Sequence, residues 1–487
     1  QKGDCKVFYK QVDQHDWKQA LDLVYDSRDQ EYRGSIVGLK AKTKYDIKLE
    51  IGSEKIIGNA FTLDENFPVG KSTIVSNDTK SLLITDSGMP DAYHLFTPGH
   101  GTRASIDVRN REDFTVVIDA DYVIVRGLEL KNAAMHGILI KEGRHHIVIE
   151  DCHITYWGRI GGPRSFGNLK KNDSGIHAEK GAGNLIIQRN LIETPRGCSN
   201  NWETGHPAGP QAVSLINSSG ENIVRYNEFL STLDHSFNDI FGGSNNRSNE
   251  GSPNRDSDIY GNIFRAAHDD AIESEGANMN VRIWGNYIHD VFIHVATAST
   301  SKGPLYIFRN IFGTSRKNKI FPGGGSMIKT GMNDKFGGGR KYIFHNTALQ
   351  PDGALNVFSN HPDLNCVTRN NIFDCAGQLA STGAPEDNGD YDYDLFTGMT
   401  LGNAKEPNGI KEIPWFIESY YMEFYPKTSI ESVQWGKVPL KFGDTENMIN
   451  GAVITVPNPI IDAGQPLPNF NDDFTGKGPD LGAFEVG

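Results

Sequence analysis

The chain has 487 residues, 48 Lys and Arg against 61 Asp and Glu, and a formal charge of −13. That balance argues against a general nucleic-acid binder, though a local basic patch can still receive an anionic ligand. No run of 18 apolar residues is present, so no helical membrane span is expected. Hydrophobic residues make up 37% and aromatics 10%, with 53 glycines and 22 prolines, which suits a folded, turn-rich β protein. The five cysteines are odd in number and lack C-x-x-C spacing, so zinc is not expected, and Cys152 and Cys366 read as buried thiols. Gln1 is compatible with a mature N-terminus after signal cleavage, which would make the protein secreted or periplasmic.

Residues 1–65 contain YRGSIVGLKAKTKYDIKLEIG, a strand, a Gly-Leu-Lys corner and a Tyr-centred strand. This resembles half of a fibronectin type III β-sandwich. Residues 66–110 are expected to cap the repeat region C-terminal to them, because a bare solenoid end exposes strand edges. From about 115 to 375 a degenerate repeat, apolar-x-apolar-x-x-Asn-x-apolar, recurs at Asn190, Asn227, Asn262, Asn286, Asn310, Asn346 and Asn371. The tightest spacing is 24 residues, and spacings of 35–37 read as the same unit with a loop inserted. Such a period with strand-like alternation predicts a β-solenoid of nine coils, each with three short strands. First strands include HGILIK, SGIHAEK, AVSLIN, NDIFGG, DAIESEG, IHVATA, SMIKTG and LNVFSN. The asparagines are expected to form an internal ladder at a bend, a structural role. Residues 376–487 lose the repeat and are expected to form a C-terminal cap laid along the coils. Their acidic stretch DNGDYDYD lacks EF-hand spacing.

The repeat and the PDLGAFE ending resemble the right-handed parallel β-helices of the pectate-lyase-like superfamily. The resemblance covers roughly residues 66–487 and implies an all-β solenoid and a polysaccharide-acting enzyme of bacteria. It does not choose among lyases, hydrolases, epimerases, esterases and adhesins. Of the polygalacturonase motif set only His268-Asp269-Asp270 gives a partial echo. Glu273-Ser274-Glu275 resembles the Glu-x-Glu pair that chondroitinase-B-like lyases use for Ca²⁺. An N-terminal sandwich on such a helix also resembles β-helical hydrolases of sulfated algal polysaccharides, including endo-fucanases.

Aligning first strands on Ile176, Val213, Ile240, Ile272, Val295 and Ile328 gives the outward rows. One reads His177, Ser214, Phe241, Glu273, Ala296, Lys329. The row two residues earlier holds Asp239 and His294. On this register the Asp239 and Glu273 carboxyls lie roughly 8 Å apart, a spacing suited to an inverting glycosidase. Crowding with Asp269, Asp270 and Glu275 would help keep one of them protonated. His294 is a candidate acid or water-orienting group. His177, three coils away, marks another subsite or a separate centre. Lys329 is a candidate anion contact. Two insertions, 154–175 and 193–211, offer Tyr156, Arg159, Arg164, Trp202, Glu203 and His206 for stacking on sugars and gripping sulfate or carboxylate. A third, GGSNNRSNEGSPNRDSD, follows Ile240 on the other edge.

The expected activity is endo-hydrolysis of an anionic, sulfated polysaccharide by a monomer, with Asp239 and Glu273 as acid and base. No cofactor is required by that reading, and Ca²⁺ at Glu273 and Glu275 stays open. Two rivals stand beside it. One is a Ca²⁺-assisted lyase acting by β-elimination on a uronate polymer, with Lys329, His177 or a Tyr as base. The other is a non-catalytic glycan-binding or adhesin module.

Overall fold

The computed structural model describes the chain outside residues 1–3, 78, 161–170, 200–201, 203–204, 216, 244, 317–324, 332–335, 350–352, 359–364, 376–379, 382–388, 398–404, 413–415, 420–439, 443–444, 450–451, 457–458 and 486–487. The N-terminal strands Cys5–Gln11, Lys18–Asp26, Glu31–Arg33, Lys44–Ile51 and Glu54–Phe61 form one antiparallel sheet, in the spatial order third, second, first, fourth, fifth. Val7, Tyr9, Ala20 and Tyr45 bury one side of it. The sheet is fastened to the solenoid through polar groups. Ser35 N donates to the Tyr306 hydroxyl (3.2 Å), and Arg282 Nη1 donates to Ser35 Oγ (3.0 Å).

Among the described residues, three long parallel sheets of 11, 12 and 11 strands come next in the chain. A representative coil runs Asp270–Glu273, Val281–Trp284, Tyr287–His289, one strand in each sheet. Alternation sorts each first strand into an inward and an outward set. Ile138, Ile176, Val213, Phe241, Ile272, Val295, Ile328 and Leu355 stack in register through the interior. Each is buried, and each such side chain contributes roughly 1.5–3 kcal/mol. Among the described residues, first strands within 114–375 number nine, as the repeat predicts. One more coil precedes them (Leu82–Ile84, Tyr93–Pro98, Ala104–Asp107), and another succeeds them, ending at Leu395–Phe396. The solenoid therefore runs past residue 375, where the repeat becomes too degenerate to read.

The asparagine ladder is continuous. Each Asn from 190 to 346 donates both its backbone N–H and its Nδ2 to the Oδ1 of the next, at 2.9–3.1 Å. Cys152 N caps the first rung by donating to Asn190 Oδ1 (3.0 Å). Asp394 closes the last, its Oδ1 accepting from Asn371 N (2.7 Å) and Nδ2 (2.8 Å). Burial pushes the Asp394 carboxyl up to about 6. Thus DYDYD supplies a ladder terminus: Asp394 is spent there, while Asp390 pairs with Arg369 (2.7 Å).

The C-terminal segment packs on the helix. Leu467 and Phe470 cover Tyr306, Phe308 and Phe344, while Ile460 and Leu481 cover Ile372 and Leu395. Asn469 reaches the N-terminal sheet, its Oδ1 accepting from Val37 N (2.6 Å) and its Nδ2 donating to Tyr9 (2.9 Å). Most of the aromatic stretch WFIESYYMEFYP lies outside the described residues. No helix among the described residues is long and apolar enough to cross a membrane.

Candidate functional site

The first-strand register corrects the sequence alignment at one coil. Phe241, not Ile240, is the inward partner of Val213 and Ile272. Gly242 therefore takes the outward place between Ser214 and Glu273. Counting back two residues sets Asp239 beside Asp270 rather than Ala271. Asp270 N lies 3.3 Å from Asp239 Oδ1, and Ile240 N donates to Asp270 O (3.1 Å). Two adjacent apolar residues, Ile240 and Phe241, both buried, hide this slip from sequence reading.

The consequence is a carboxylate cluster. One oxygen each from Asp239, Asp269 and Asp270 falls within 4.8 Å of the others, and all three residues are buried. Asp239 is oriented by Asn238, whose Nδ2 donates to its Oδ2 (3.0 Å). Ser199 in turn donates to Asn238 Oδ1 (2.9 Å). Burial, then the charges of Glu273 and Asp269, push the Asp239 carboxyl well above the usual carboxylate range. Burial does the same to Asp270, partly offset by Lys329.

Lys329 is the counter-charge. Although two coils from Glu273 along its row, its Nζ reaches Asp270 Oδ2 (2.8 Å) and Glu275 Oε1 (3.2 Å). Burial opposes its charge, but Asp270 and Glu275 hold its pKa well above the ordinary value. Glu275, buried and repelled by Glu273, is pushed up to about 7 despite that lysine. A lone exposed anion contact, the reading from sequence, is replaced by a partly buried amine at the edge of the cluster.

Glu273 is fixed differently. Its Oε2 accepts from Gly243 N (2.9 Å) and its Oε1 from Asn246 Nδ2 (2.6 Å). The third insertion thus folds onto Glu273, and its Gly251–Ser252 pairs antiparallel with Glu275–Gly276. From the opposite edge the 193–211 insertion brings His206, whose Nε2 donates to Asp269 Oδ2 (2.7 Å). That bond raises the imidazole to about 9. Trp202 stacks on His206 (5.0 Å, 21°) and meets His268 and Phe292 edge-on.

Several predicted site residues are placed elsewhere. His294 is fully buried, its ring set between the carbonyls of Ser326 (3.2 Å) and Gly313 (2.9 Å); it faces no substrate. Burial lowers its pKa to about 4. His177 stacks on His136 (4.1 Å) and is not brought to the carboxylates, since three coils separate it from Glu273. Arg159 is consumed by Asp173, to which its backbone N (2.7 Å), Nε (2.8 Å) and Nη2 all donate. Tyr156 is exposed and meets His235 edge-on. Arg164 and Glu203 lie outside the described residues. Glu273 and Glu275, the pair considered for Ca²⁺, are engaged otherwise: loop amides hold Glu273 and Lys329 holds Glu275. Asp269 and Asp270 are visible in the sequence as a pair opening a first strand, one coil beyond Asp239, but without the corrected register they signal only crowding.

The cluster suits a hard divalent cation. Ca²⁺–oxygen distances of about 2.3–2.6 Å let opposite ligands stand up to about 5 Å apart, which the 4.8 Å span satisfies. Asp270 Oδ1 is buried and has no hydrogen-bond partner, the kind of orphan a cation would satisfy. Among the described residues no other group of three acidic, His or Cys ligands converges this way.

These three-strand coils and their internal ladder decide the fold. The chain is a parallel β-helix. No protein-family model matches it, and no curated protein matches it. A solved structure described as pectate lyase Pel9A superposes with a TM-score of 0.44 and 12% identity, over 88% of this chain and 92% of that one. Likeness at that level leaves the reaction of this β-helix to its own side chains.

Proposed function

We propose that the protein is a cation-assisted polysaccharide lyase that cleaves a uronate polymer by β-elimination. The observation that carries this is the convergence of Asp239, Asp269 and Asp270 beside the Lys329 amine. Hydrolysis needs one carboxyl free to donate a proton and another free to activate water. Glu273 has both oxygens bound to the 243–257 loop. The register shift also moves Asp239 about one residue farther from Glu273 along the strand, to roughly 11 Å between Cα positions.

Asp239, Asp269 and Asp270 would hold Ca²⁺. When bound, the cation would neutralise the uronate carboxylate and so acidify the proton α to it. Lys329 Nζ takes that α proton. The electrons of the broken C5–H bond form the C4–C5 double bond, the C4–O bond breaks, and the leaving glycosidic oxygen takes a proton from water. In the arrangement described, Lys329 is itself protonated because Asp270 and Glu275 favour its charge. Drawing Asp270 away from it lowers that preference, which is how the amine becomes a base. Trp202 offers an apolar face at the edge of the site, and Ser199 and Asn238 keep Asp239 aimed.

This chemistry requires an anionic polymer. A sulfated one has lost its support, since Arg159 is tied to Asp173. Secretion or periplasmic location suits a polymer substrate, and a monomer is the expected form. The test is a panel of uronate polymers with Ca²⁺. Lyase products absorb in the ultraviolet, whereas hydrolysis releases reducing ends without that absorbance. Reducing ends without absorbance would move the assignment to the hydrolase, and neither signal on any glycan would leave a binding module.

A further inference from the structure

On the coil of Asp239 and the two coils before it, the outward face carries polar groups that the reaction does not use. His177, Ser214 and Gly242 succeed one another in register on three adjacent coils. Ser214 is small and Gly242 has no side chain, so the middle of this row is a low floor. The Gln211 amide lies over it: a Cβ on Gly242 would meet Gln211 Nε2 at 2.0 Å. At the other end stands the His177 ring, backed by His136 at 4.1 Å. Asn172 Nδ2 reaches Ser214 Oγ from the side (3.3 Å).

Two atoms here are unsatisfied. His177 Nδ1 and Gln211 Oε1 are buried and have no hydrogen-bond partner. The residues themselves are 9% and 2% exposed, so nine-tenths or more of each is buried. Leaving one such atom unpaired costs about 1–3 kcal/mol, and native proteins rarely tolerate it. Neither group pairs with a charge. Burial holds the His177 imidazole neutral, down at about 4. Arg159, a cation of the adjoining loop, is neutralised by Asp173. The chemistry on offer is therefore a neutral imidazole nitrogen and an amide oxygen, which match sugar hydroxyls rather than carboxylate or sulfate.

We infer that His177 and Gln211 form a distal subsite that binds the uncharged hydroxyl edge of a sugar residue in the same polymer chain. His177 lies two coils, roughly 10 Å, from the coil of Asp239, and the Gln211 amide lies over Gly242 on that coil. Gly242 is a specificity-determining position, because its missing Cβ leaves room for the Gln211 amide. The inference rests on the lyase reading for its substrate and makes long chains better substrates than short ones.

The test compares wild type, His177→Phe and Gly242→Ala on hexagalacturonate and trigalacturonate with Ca²⁺. His177→Phe keeps a ring on His136 and removes the nitrogens. Gly242→Ala displaces only the end of a flexible side chain, so it serves if the first variant fails to fold. The expected result is a KM for the hexamer raised about tenfold, the loss of one hydrogen bond, with kcat within about twofold. The rise should be larger for the hexamer than for the trimer. If both folded variants keep the wild-type KM on the hexamer, these atoms hold only water and the subsite is overturned. If wild type yields no unsaturated product, the lyase reading fails on its own, and calorimetry of hexagalacturonate binding decides the subsite. Binding about tenfold weaker in the variants upholds it. Equal binding, or none to wild type, overturns it.

Discussion

Lys329→Met separates the two roles assigned to this amine. Its Nζ is bonded to Asp270 at 2.8 Å and to Glu275 at 3.2 Å, beside Asp239 and Asp269. Without it, a crowded set of buried carboxyls loses its cation. Breaking a buried pair from one side costs about 3–5 kcal/mol. Protonation caps that loss, because Asp239 and Asp270 already sit well above the usual carboxylate range. The expected result without Ca²⁺ is therefore destabilisation near the lower bound at neutral pH, shrinking as pH falls and the carboxyls protonate. Ca²⁺ should recover most of it, since the cation replaces the missing charge. Turnover should not recover: a positioned general base contributes about 10²–10⁴-fold. Thermal unfolding with and without Ca²⁺ reads the first effect, and absorbance of unsaturated product reads the second. A variant retaining more than about a tenth of wild-type turnover would refute Lys329 as the base. Unchanged stability in EDTA would refute its role as counter-charge.

Asp270→Asn should abolish Ca²⁺-dependent turnover and weaken Ca²⁺ binding at least tenfold by calorimetry, because the cluster loses one of three charges. Glu273→Gln keeps its loop contacts in part and should leave at least a tenth of the activity under the lyase reading; complete loss with normal folding would restore the hydrolase pair. Asn286→Ala removes four ladder hydrogen bonds and strands the Ile259 carbonyl and the Asn262 N–H. It should cost about 2–6 kcal/mol in denaturant unfolding, and a loss below about 1 kcal/mol would mean the ladder is ornamental. Glu275 titrates at about 7 in the fold against 4.5 for the free group. Its contribution to stability is thus fully present below 4.5 and is lost as pH rises through 7. Without Ca²⁺, Glu275→Gln should flatten that part of the pH–stability curve.

The reach of the sequence depends on where periodicity acts. The ladder positions are legible because each asparagine sits at the same bend and must pair with its neighbour, so the spacing survives every loop insertion. Nothing repeats at Cys152 and Asp394, so the two ends of the ladder are hidden. The Trp202–His206 arm is legible only as an aromatic, polar insertion. Its landing point on Asp269 depends on loop closure, which no period records. Arg159 illustrates the opposite error: a basic residue in a loop is counted as available until its partner, Asp173, turns up 14 positions along.

The decisive miss is one residue wide. A strand has a period of two, so a shift of one exchanges inside for outside. Ile240 and Phe241 are adjacent, apolar and both buried, so hydropathy cannot say which of them faces the core. Choosing Ile240 puts Asp239 opposite an alanine and leaves Asp239 and Glu273 as the closest pair across coils. Choosing Phe241 puts Asp239 beside Asp270, and a spacing suited to two-carboxyl hydrolysis becomes three carboxylates that converge. Like charges brought this close need a counter-cation, and Lys329 supplies one from two coils away. The proposed reaction class therefore turns on which of two neighbouring apolar residues faces the inside of the coil. Exchanging them, Ile240→Phe with Phe241→Ile, keeps composition and volume. If packing of Phe241 sets the register, that double variant should lose Ca²⁺ affinity while keeping its β-sheet signal.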